Sequence, residues 1–275
     1  MININDFKPK YIRSYSDLFL GPDNIFFPPR EETDAFSLLV LAGNIFKPFS
    51  LFDDKSFEVK EFLDRCTEQF PYTLIIPGYL EDLEIQNNPD LLLALQDVLS
   101  ERYSNVFLMS NDSIQFGDLL RLSCSPLYTD FSAFSEFGND LEMNFELPIN
   151  IKSVISTNSN SKDFIYKSAL RLGLESNPPL ISGVVTHTAP SSRFASLSNI
   201  DDQIENVTSY TSLDYIIKAG LFDFYLWGNT FQTIEQRSKI RNKNVFFSCN
   251  SRGIGKHINA DFDILSLIEI AALKN

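Results

Sequence analysis

The chain has 275 residues, a formal net charge of -13 at pH 7 and an apolar fraction of 44% that includes 25 Phe and 10 Tyr. This content of apolar and aromatic residues excludes a disordered chain, and the length suits one α/β domain, which we place at residues 1–275. The acidic balance makes nucleic acids and anionic membranes unfavourable partners, and no apolar run approaches the ~20 residues of a membrane helix.

The first half of the sequence alternates apolar strands with helices. The segment 21–33, with three prolines, is predicted to be a loop, and the strand at 36–42 is apolar throughout, as in a strand buried on both faces. A helix is predicted at 57–69, ended by Pro71. The other elements predicted here are strands at 11–15, 72–76 and 105–109, a turn at GYLE (78–81), a helix at 90–103 that begins at Pro89, and a hairpin turning at Gly117 and Asp118.

The second half contains one long irregular segment and further strands. Residues 128–149 are rich in Phe and acids, and are interpreted either as a surface loop packed by its own aromatic side chains or as a partner-binding loop. The sequence NSNS at 158–161 predicts a turn before a helix at 162–174. Thr211 to Asp214 fits a capping box that opens a helix ending at Gly220. Strands are predicted at 180–187, 221–227 and 245–249.

The cysteines and the N-terminus favour a cytoplasmic protein. Cys66, Cys124 and Cys249 are odd in number and lack CxxC spacing, which argues against a disulfide framework and a zinc cluster. They are interpreted as buried free thiols in a reducing compartment. The first ten residues, MININDFKPK, lack the apolar core of a signal peptide.

Charge is unevenly distributed along the chain. The segment 66–101 has seven acidic residues and no Lys or Arg, and the segment 122–151 has five acidic residues and no base. The segment 237–260 has no acid and supplies a candidate anion patch formed by Arg237, Lys239, Arg241, Lys243 and Arg252. These segments are read either as ordinary solvated surface or as an acidic face for a basic protein partner and a basic patch for an anion.

Five polar junctions each follow directly on an apolar run. They read SDLFL at 16–20, LAGNI at 41–45, IPGYLE at 76–81, THTAP at 186–190 and WGNTF at 227–231. In this order and spacing they resemble the motifs of the calcineurin-like metallophosphoesterase family, which read SDxHL, GD, GNHE, THxAP and GHTH. The resemblance extends from about residue 11 to about residue 255. It implies an α/β fold in which two mixed β-sheets pack together and are flanked by helices (α/β/β/α).

The departures from these motifs remove most of the family's site. Asp17 and His187 keep their identity, whereas Asn44 replaces the bridging aspartate and Leu80 replaces the histidine that protonates the leaving group. Three further ligand positions hold Phe19, Tyr79 and Phe231, and Asn229 stands in place of a histidine. The vestigial site positions are thus Asp17, Phe19, Asn44, Tyr79, Leu80, His187, Asn229 and Phe231.

A two-metal centre holds its cations roughly 3.5–4 Å apart and needs a shared carboxylate and several imidazoles. Phe and Leu neither ligate metals nor transfer protons, and Asn is a neutral donor. We therefore expect no intact catalytic residue, no cofactor and no metal; a single Mn or Mg ion, if any, would use Asp17, Asn44, His187 and Asn229. We further expect Phe19, Leu80 and Phe231 to pack around His187 and fill the old cavity.

Three functions remain open from the sequence. The leading hypothesis is a catalytically inactive metallophosphoesterase-like protein that binds a protein partner, because fold and site chemistry are separable. The alternative is a weak single-metal phosphodiesterase. The third is a nucleotide or anion sensor that uses the candidate anion patch together with His187, which requires the patch to adjoin the old cleft.

Overall fold

Two β-sheets face each other across the main core. The computed structural model describes residues 1–53, 56–88, 90–129, 151–195, 209–255 and 258–274. The strands are β1 (Ile2–Ile4), β2 (Tyr11–Tyr15), β3 (Ser37–Ala42), β4 (Tyr72–Ile76), β5 (Val106–Leu108), β6 (Asp112–Phe116), β7 (Leu120–Ser125), β8 (Ile181–Thr186), β9 (Phe224–Trp227), β10 (Thr233–Ile240), β11 (Lys243–Asn250) and β12 (Ile268–Glu269). The helices are α1 (Phe57–Gln69), α2 (Tyr79–Asn87), α3 (Asp90–Arg102), α4 (Ile151–Leu174) and α5 (Asp214–Ala219).

The strands divide between a seven-stranded sheet, in the order β1-β6-β7-β8-β9-β11-β10, and a five-stranded sheet, in the order β12-β2-β3-β4-β5. Both sheets are mixed: β2 to β5 run parallel beside an antiparallel β12, and the seven-stranded sheet contains the antiparallel pairs β6·β7 and β10·β11. Because the carboxyl ends of neighbouring parallel strands meet at one edge, the loops after β2, β3 and β4 lie together.

Alternation along the central strands forms three apolar layers. In β3, Leu38, Val40 and Ala42 face the seven-stranded sheet, whereas Leu39 and Leu41 pack with the helices on the outer side. On the other sheet, Val185 faces the core between the sheets and Val184 packs on the opposite side, in the cluster that includes residues of α4 and α5. The layers are therefore helix, sheet, sheet and helix, as the resemblance implied.

Most predicted strands, and helix α1, lie within two residues of their predicted bounds, and all three cysteines are buried.

The turn predicted at GYLE is wrong, because these residues open helix α2. The Glu81 carboxylate accepts the N–H of Gly78 at 2.7 Å and so caps the first turn of that helix. The predicted segment 128–149 lies outside the described residues from 130 onward, as does Pro89.

The turn predicted at 158–161 is also wrong, because α4 runs unbroken through these residues. Asn158 is 3% exposed and donates from Nδ2 to the Tyr128 carbonyl and to Thr211 Oγ1, the latter at 2.7 Å. The buried hydroxyl of Ser161 accepts the N–H of Leu127 at 3.3 Å. Polar residues that favour turns locally are thus kept helical by partners distant in sequence.

The predicted capping box at Thr211 to Asp214 is wrong as well. Helix α5 begins after Leu213 and has no side-chain cap bond. Thr211 bonds Asn158 instead, and Asp214 accepts hydroxyl groups of Ser191 and Ser212 at 2.8 and 3.1 Å. The predicted end is confirmed, because Gly220 adopts a left-handed φ of 67°.

Of the helices in the described ranges, none is both long enough and apolar enough to span a bilayer.

Candidate functional site

The loops that carry the five junctions meet where the two sheets come together. The N–H of Asp17 donates to the Gly43 carbonyl at 2.9 Å, which joins the loops after β2 and β3. The N–H of Gly228 donates to the His187 carbonyl at 2.9 Å and joins the loops after β8 and β9. The structure thereby brings Asp17, Asn44, His187 and Asn229 into one buried cluster.

The carboxylate of Asp17 lies at the centre of this cluster and is fully buried. Its Oδ1 accepts the side-chain amide of Asn44 at 2.8 Å. Its Oδ2 accepts the hydroxyl groups of Ser16 and Ser251, at 2.8 and 2.6 Å, and the backbone N–H of Asn229 at 2.7 Å. A carboxylate offers about two lone-pair sites on each oxygen, so three donors crowd Oδ2, whereas Oδ1 accepts one donor among the described residues.

Ser16 and Ser251 were missed from the sequence as members of the site. Ser16 could have been found, because it directly precedes Asp17 in the first junction. Ser251 lies 234 positions away and carried no local signal.

A second buried carboxylate, that of Glu81, fixes the loop that carries Asn44. Its two oxygens accept the backbone N–H groups of Asn44, Ile45, Phe46 and Gly78 at 2.6–3.2 Å. Burial raises the pKa of Glu81, and the N–H groups oppose that rise. Both the backbone and the side chain of Asn44 are held in place, since its N–H donates to Glu81 and its Oδ1 accepts the Leu80 N–H at 2.9 Å. No role in the site was predicted for Glu81 from the sequence, although Glu81 is the last residue of the IPGYLE junction.

The imidazole of His187 is fully buried, with Nδ1 3.2 Å from the Ala42 carbonyl. Burial lowers its pKa, against the opposing effects of Asp17 and of that carbonyl, so the neutral form is favoured. A proton on Nδ1 fits the carbonyl partner and leaves Nε2 as an acceptor, which has no hydrogen-bond partner among the described residues.

Two glycines make room for this ring. A Cβ at Gly43 would lie 2.3 Å from Nδ1 of His187, and a Cβ at Gly78 would lie 2.8 Å from Cε1.

The rings against His187 are not those expected from the sequence. Tyr79 meets it edge-on with centroids 5.1 Å apart, and Tyr128 lies 6.0 Å away and stacks on Tyr79. The three positions expected to fill the cavity, Phe19, Leu80 and Phe231, are each only partly buried. The expectation of a closed apolar cluster formed by these three side chains is therefore corrected: two tyrosines occupy the place beside the imidazole.

The backbone of the junctions is left-handed at five vestigial positions. The φ angles lie between 49° and 58° at Asp17, Phe19, Asn44, Asn229 and Phe231. Asp and Asn tolerate this region, whereas for a bulky residue such as Phe it costs of order 1–3 kcal/mol. The loops therefore keep a strained geometry at Phe19 and Phe231, whose side chains have no ligand chemistry.

Most residues of the candidate anion patch lie far from this cluster. Arg237 and Lys239 lie on β10, Arg241 lies in the turn, and Lys243 begins β11. Since β11 runs parallel to β9 and the cluster lies at their carboxyl ends, the hairpin turn is about 20 Å away, at the opposite end of the sheet. Lys243 pairs there with Asp223 at 2.9 Å.

Arg252 is the member of the patch that lies near the cluster. It is held by the Asn24 side chain at 2.9 Å and by the Leu18 carbonyl at 3.3 Å.

The residues present do not fit a two-metal centre. Across the described ranges, no group of three or more His, Cys, Asp or Glu is placed to hold a metal ion. Asp17 and His187 are the two vestigial positions with strong ligand chemistry, and the lone pairs of Asp17 already accept four protein donors.

No protein-family model matches the chain, and no curated protein matches its sequence. Solved structures do match. The phosphopantetheinyl hydrolase PptH of Mycobacterium tuberculosis superposes with a TM-score of 0.55 at 13% identity, covering 90% of each chain. The protein TT1561 of Thermus thermophilus superposes with a TM-score of 0.50 at 12% identity, covering 97% of each chain. The fold is that of the metallophosphoesterases. At these identities the similarity shows the metallophosphoesterase fold and nothing of the chemistry.

Proposed function

We propose that residues 1–275 form a single metallophosphoesterase-like domain that has lost hydrolysis and acts by binding a protein partner. The observation that carries this proposal is the commitment of the Asp17 carboxylate to four protein donors, three of them on Oδ2. A cation at Oδ2 would have to displace donors that are themselves buried, and each displaced donor would lose its partner at a cost of about 1–3 kcal/mol.

The neighbouring positions support the loss of chemistry. Hydrolysis needs a group that protonates the leaving oxygen, and Leu80 has no such group. Asn44 donates its amide to Asp17 and accepts the N–H of Leu80, so it acts as a structural bridge between two loops. A neutral amide at this place removes the repulsion that a second carboxylate would exert on Asp17.

The surface of α3 supports the choice of a basic protein as partner. Of the acidic residues of the segment 66–101, Glu81 is buried and Glu84 accepts the N–H of Phe49 at 2.8 Å, so both serve the fold. Asp90, Asp97 and Glu101 are exposed. Their spacings of seven and four residues place them on one helical face, and this acidic stripe is where the partner is proposed to bind.

Metal content and turnover test the loss of hydrolysis. Purified protein is incubated with Mn²⁺, freed of excess ion and compared with an Asp17→Ala/His187→Ala variant, while bis(p-nitrophenyl) phosphate hydrolysis is followed with and without Mn²⁺. Near-zero metal in both proteins and turnover equal to buffer are expected. Mn²⁺-dependent turnover in the parent that the double variant lacks would contradict the proposal.

Crosslinking in cells tests the partner surface. We expect the parent to form a defined crosslinked species that is lost in an Asp97→Asn/Glu101→Gln variant. A Glu61→Gln/Glu68→Gln variant removes the same charge from exposed positions on α1 and should keep the species. A species that survives in both variants would rule out the acidic stripe of α3.

The second candidate is a weak single-metal phosphodiesterase, which one observation favours. Nε2 of His187 is buried without a hydrogen-bond partner among the described residues, as a ligating nitrogen would be in the absence of its ion. Asp17, Asn44, His187 and Asn229 would be its ligands. Stoichiometric Mn²⁺ in the parent, absent from a His187→Ala variant, would favour this function over the first.

A further inference from the structure

A cavity of about 210 Å³ lies between α4 and the seven-stranded sheet, away from the vestigial site. Arg121 and Ser123 of β7 line it, and they alternate with Leu120, Leu122 and Cys124, which face the core between the sheets. The cavity is therefore on the outer, helix-covered side of the sheet. Ser113, Arg121 and Ser123 line it from the strands, and Phe164, Lys167 and Arg171 line it from α4.

Two guanidinium groups are fixed at this cavity by one carboxylate. Nη1 of Arg121 donates to Oε2 of Glu175, and Nε of Arg171 donates to Oε1, both at 2.8 Å. Arg121 is 7% exposed and also donates from Nε to Gln115 at 2.8 Å. These bonds commit only part of each guanidinium, which leaves further N–H donors for a ligand. The carboxylate offsets one of the two positive charges, so a positive charge remains.

A buried hydroxyl adds a donor whose bonding is unexplained. Ser123 is 1% exposed, and its Oγ has no hydrogen-bond partner among the described residues. Its cross-strand neighbour Ser113 also lines the cavity. A buried hydroxyl without a partner is unfavourable, and an oxygen-rich ligand in the cavity would satisfy it.

We propose that this cavity binds the phosphate group of a small molecule, either free phosphate or a phosphate monoester. A tetrahedral dianion has more acceptor oxygens and more charge than a carboxylate, so it can accept bonds from two guanidinium groups and from hydroxyl groups at once. In a chain of net charge -13, the cavity is lined by Arg121, Arg171 and Lys167, the last of which is paired with Asp163 at 2.6 Å. Asp112 is the single acidic side chain among its described lining residues.

The size and the apolar wall limit the ligand. A volume of about 210 Å³ is below the roughly 300–1,000 Å³ of pockets for drug-sized ligands. The side chain of Asp112 is 43% exposed, so water and salt screen its repulsion of an anion. Phe164 offers an apolar surface that a small ester group would cover.

Calorimetric titration of the full chain tests this site with inorganic phosphate, phenyl phosphate and benzoate at matched ionic strength. Saturable phosphate binding is expected, weakened about tenfold or more by Arg171→Gln. Arg171 is a half-exposed residue, so the variant should fold. Ser123→Ala should weaken binding as well. Arg102→Gln, which changes a half-exposed arginine paired with Asp64 on another surface, should bind as the parent does.

Comparing the affinities for phenyl phosphate and inorganic phosphate distinguishes a phosphate ester from free phosphate as the ligand. Tighter binding of phenyl phosphate than of inorganic phosphate identifies an ester as the ligand, and equal or weaker binding identifies free phosphate. The proposal is overturned by the absence of saturable phosphate binding up to about 10 mM. It is equally overturned by benzoate binding as tightly as phosphate, or by Arg102→Gln weakening binding as much as Arg171→Gln.

Discussion

Substitutions at the hydrogen bond between Asn44 and Asp17 test the assigned donors and acceptors of the site. Asp17 accepts from four donors, so Asp17→Asn places an amide N–H₂ against at least one of them. If Asn44 turned its amide to accept that group, its own nitrogen would face the Leu80 N–H, with which its oxygen now bonds at 2.9 Å. In either arrangement one buried donor keeps no acceptor.

The size of the effect follows from these contacts. One unsatisfied buried donor costs about 1–3 kcal/mol, and the three remaining bonds lose the assistance of a charge, so Asp17→Asn should lower the free energy of unfolding by about 2–4 kcal/mol. Asn44→Asp alone places a carboxylate oxygen where an amide now lies 2.8 Å from Asp17 Oδ1, which should cost about 3 kcal/mol or more.

The double variant Asp17→Asn/Asn44→Asp restores a matched donor and acceptor between positions 17 and 44. The new amide at position 17 donates to the new carboxylate at position 44, and its oxygen, with two lone pairs, faces the three donors that Oδ2 accepts in the parent. The second oxygen at position 44 still accepts the Leu80 N–H. The double variant should therefore be more stable than the sum of the single changes predicts, by a coupling energy of about 2–3 kcal/mol.

Urea unfolding in the presence of EDTA measures all four proteins. Fluorescence of Trp227 reports directly on the site, because this is the single tryptophan of the chain, is fully buried and directly precedes Gly228. Strict additivity, or a loss below about 0.5 kcal/mol for Asp17→Asn, would refute the assigned donors and acceptors.

Three further changes test the surroundings of the site. Gly43→Ala should cost about 2 kcal/mol or more in urea unfolding, because φ is 85° and the new Cβ would lie 2.3 Å from Nδ1 of His187, whereas Gly21→Ala, with nothing within 4 Å, should be close to neutral. Asn158→Ala should cost about 1–2 kcal/mol by the same assay, since two buried bonds are lost, whereas Asn160→Ala, exposed on the same helix, should stabilise by a few tenths; equal effects would contradict the helix assignment. Burial lowers the pKa of His187 from 6.5, so the unfolded chain binds the proton first; stability should fall as pH drops below about 6.5, and a His187→Gln variant whose stability falls equally would contradict this.

Local patterns predicted the strand positions because apolar runs and the Gly or Pro residues that interrupt them act over a few neighbouring residues. The strand at 72–76 is observed as Tyr72–Ile76, and the helix at 57–69 as Phe57–Gln69. The five junctions also fall at the ends of strands, as their position after apolar runs predicted. The helical state of residues 158–161 escaped prediction, because NSNS favours a turn locally and the partners of Asn158 lie 30 and 53 residues away.

The sequence by itself determined the positions of most strands, the five junctions and the absence of ligand chemistry at Phe19, Leu80 and Phe231, since these depend on residue identity and short-range periodicity. Only the tertiary structure decided what the remaining polar residues do. It brought donors from positions 16, 44, 229 and 251 onto one carboxylate. It also placed Tyr79 and Tyr128 beside His187, and it placed the turn between β10 and β11 at the opposite end of the sheet. Strand direction and long-range packing set these outcomes, and neither is encoded within a short stretch of chain.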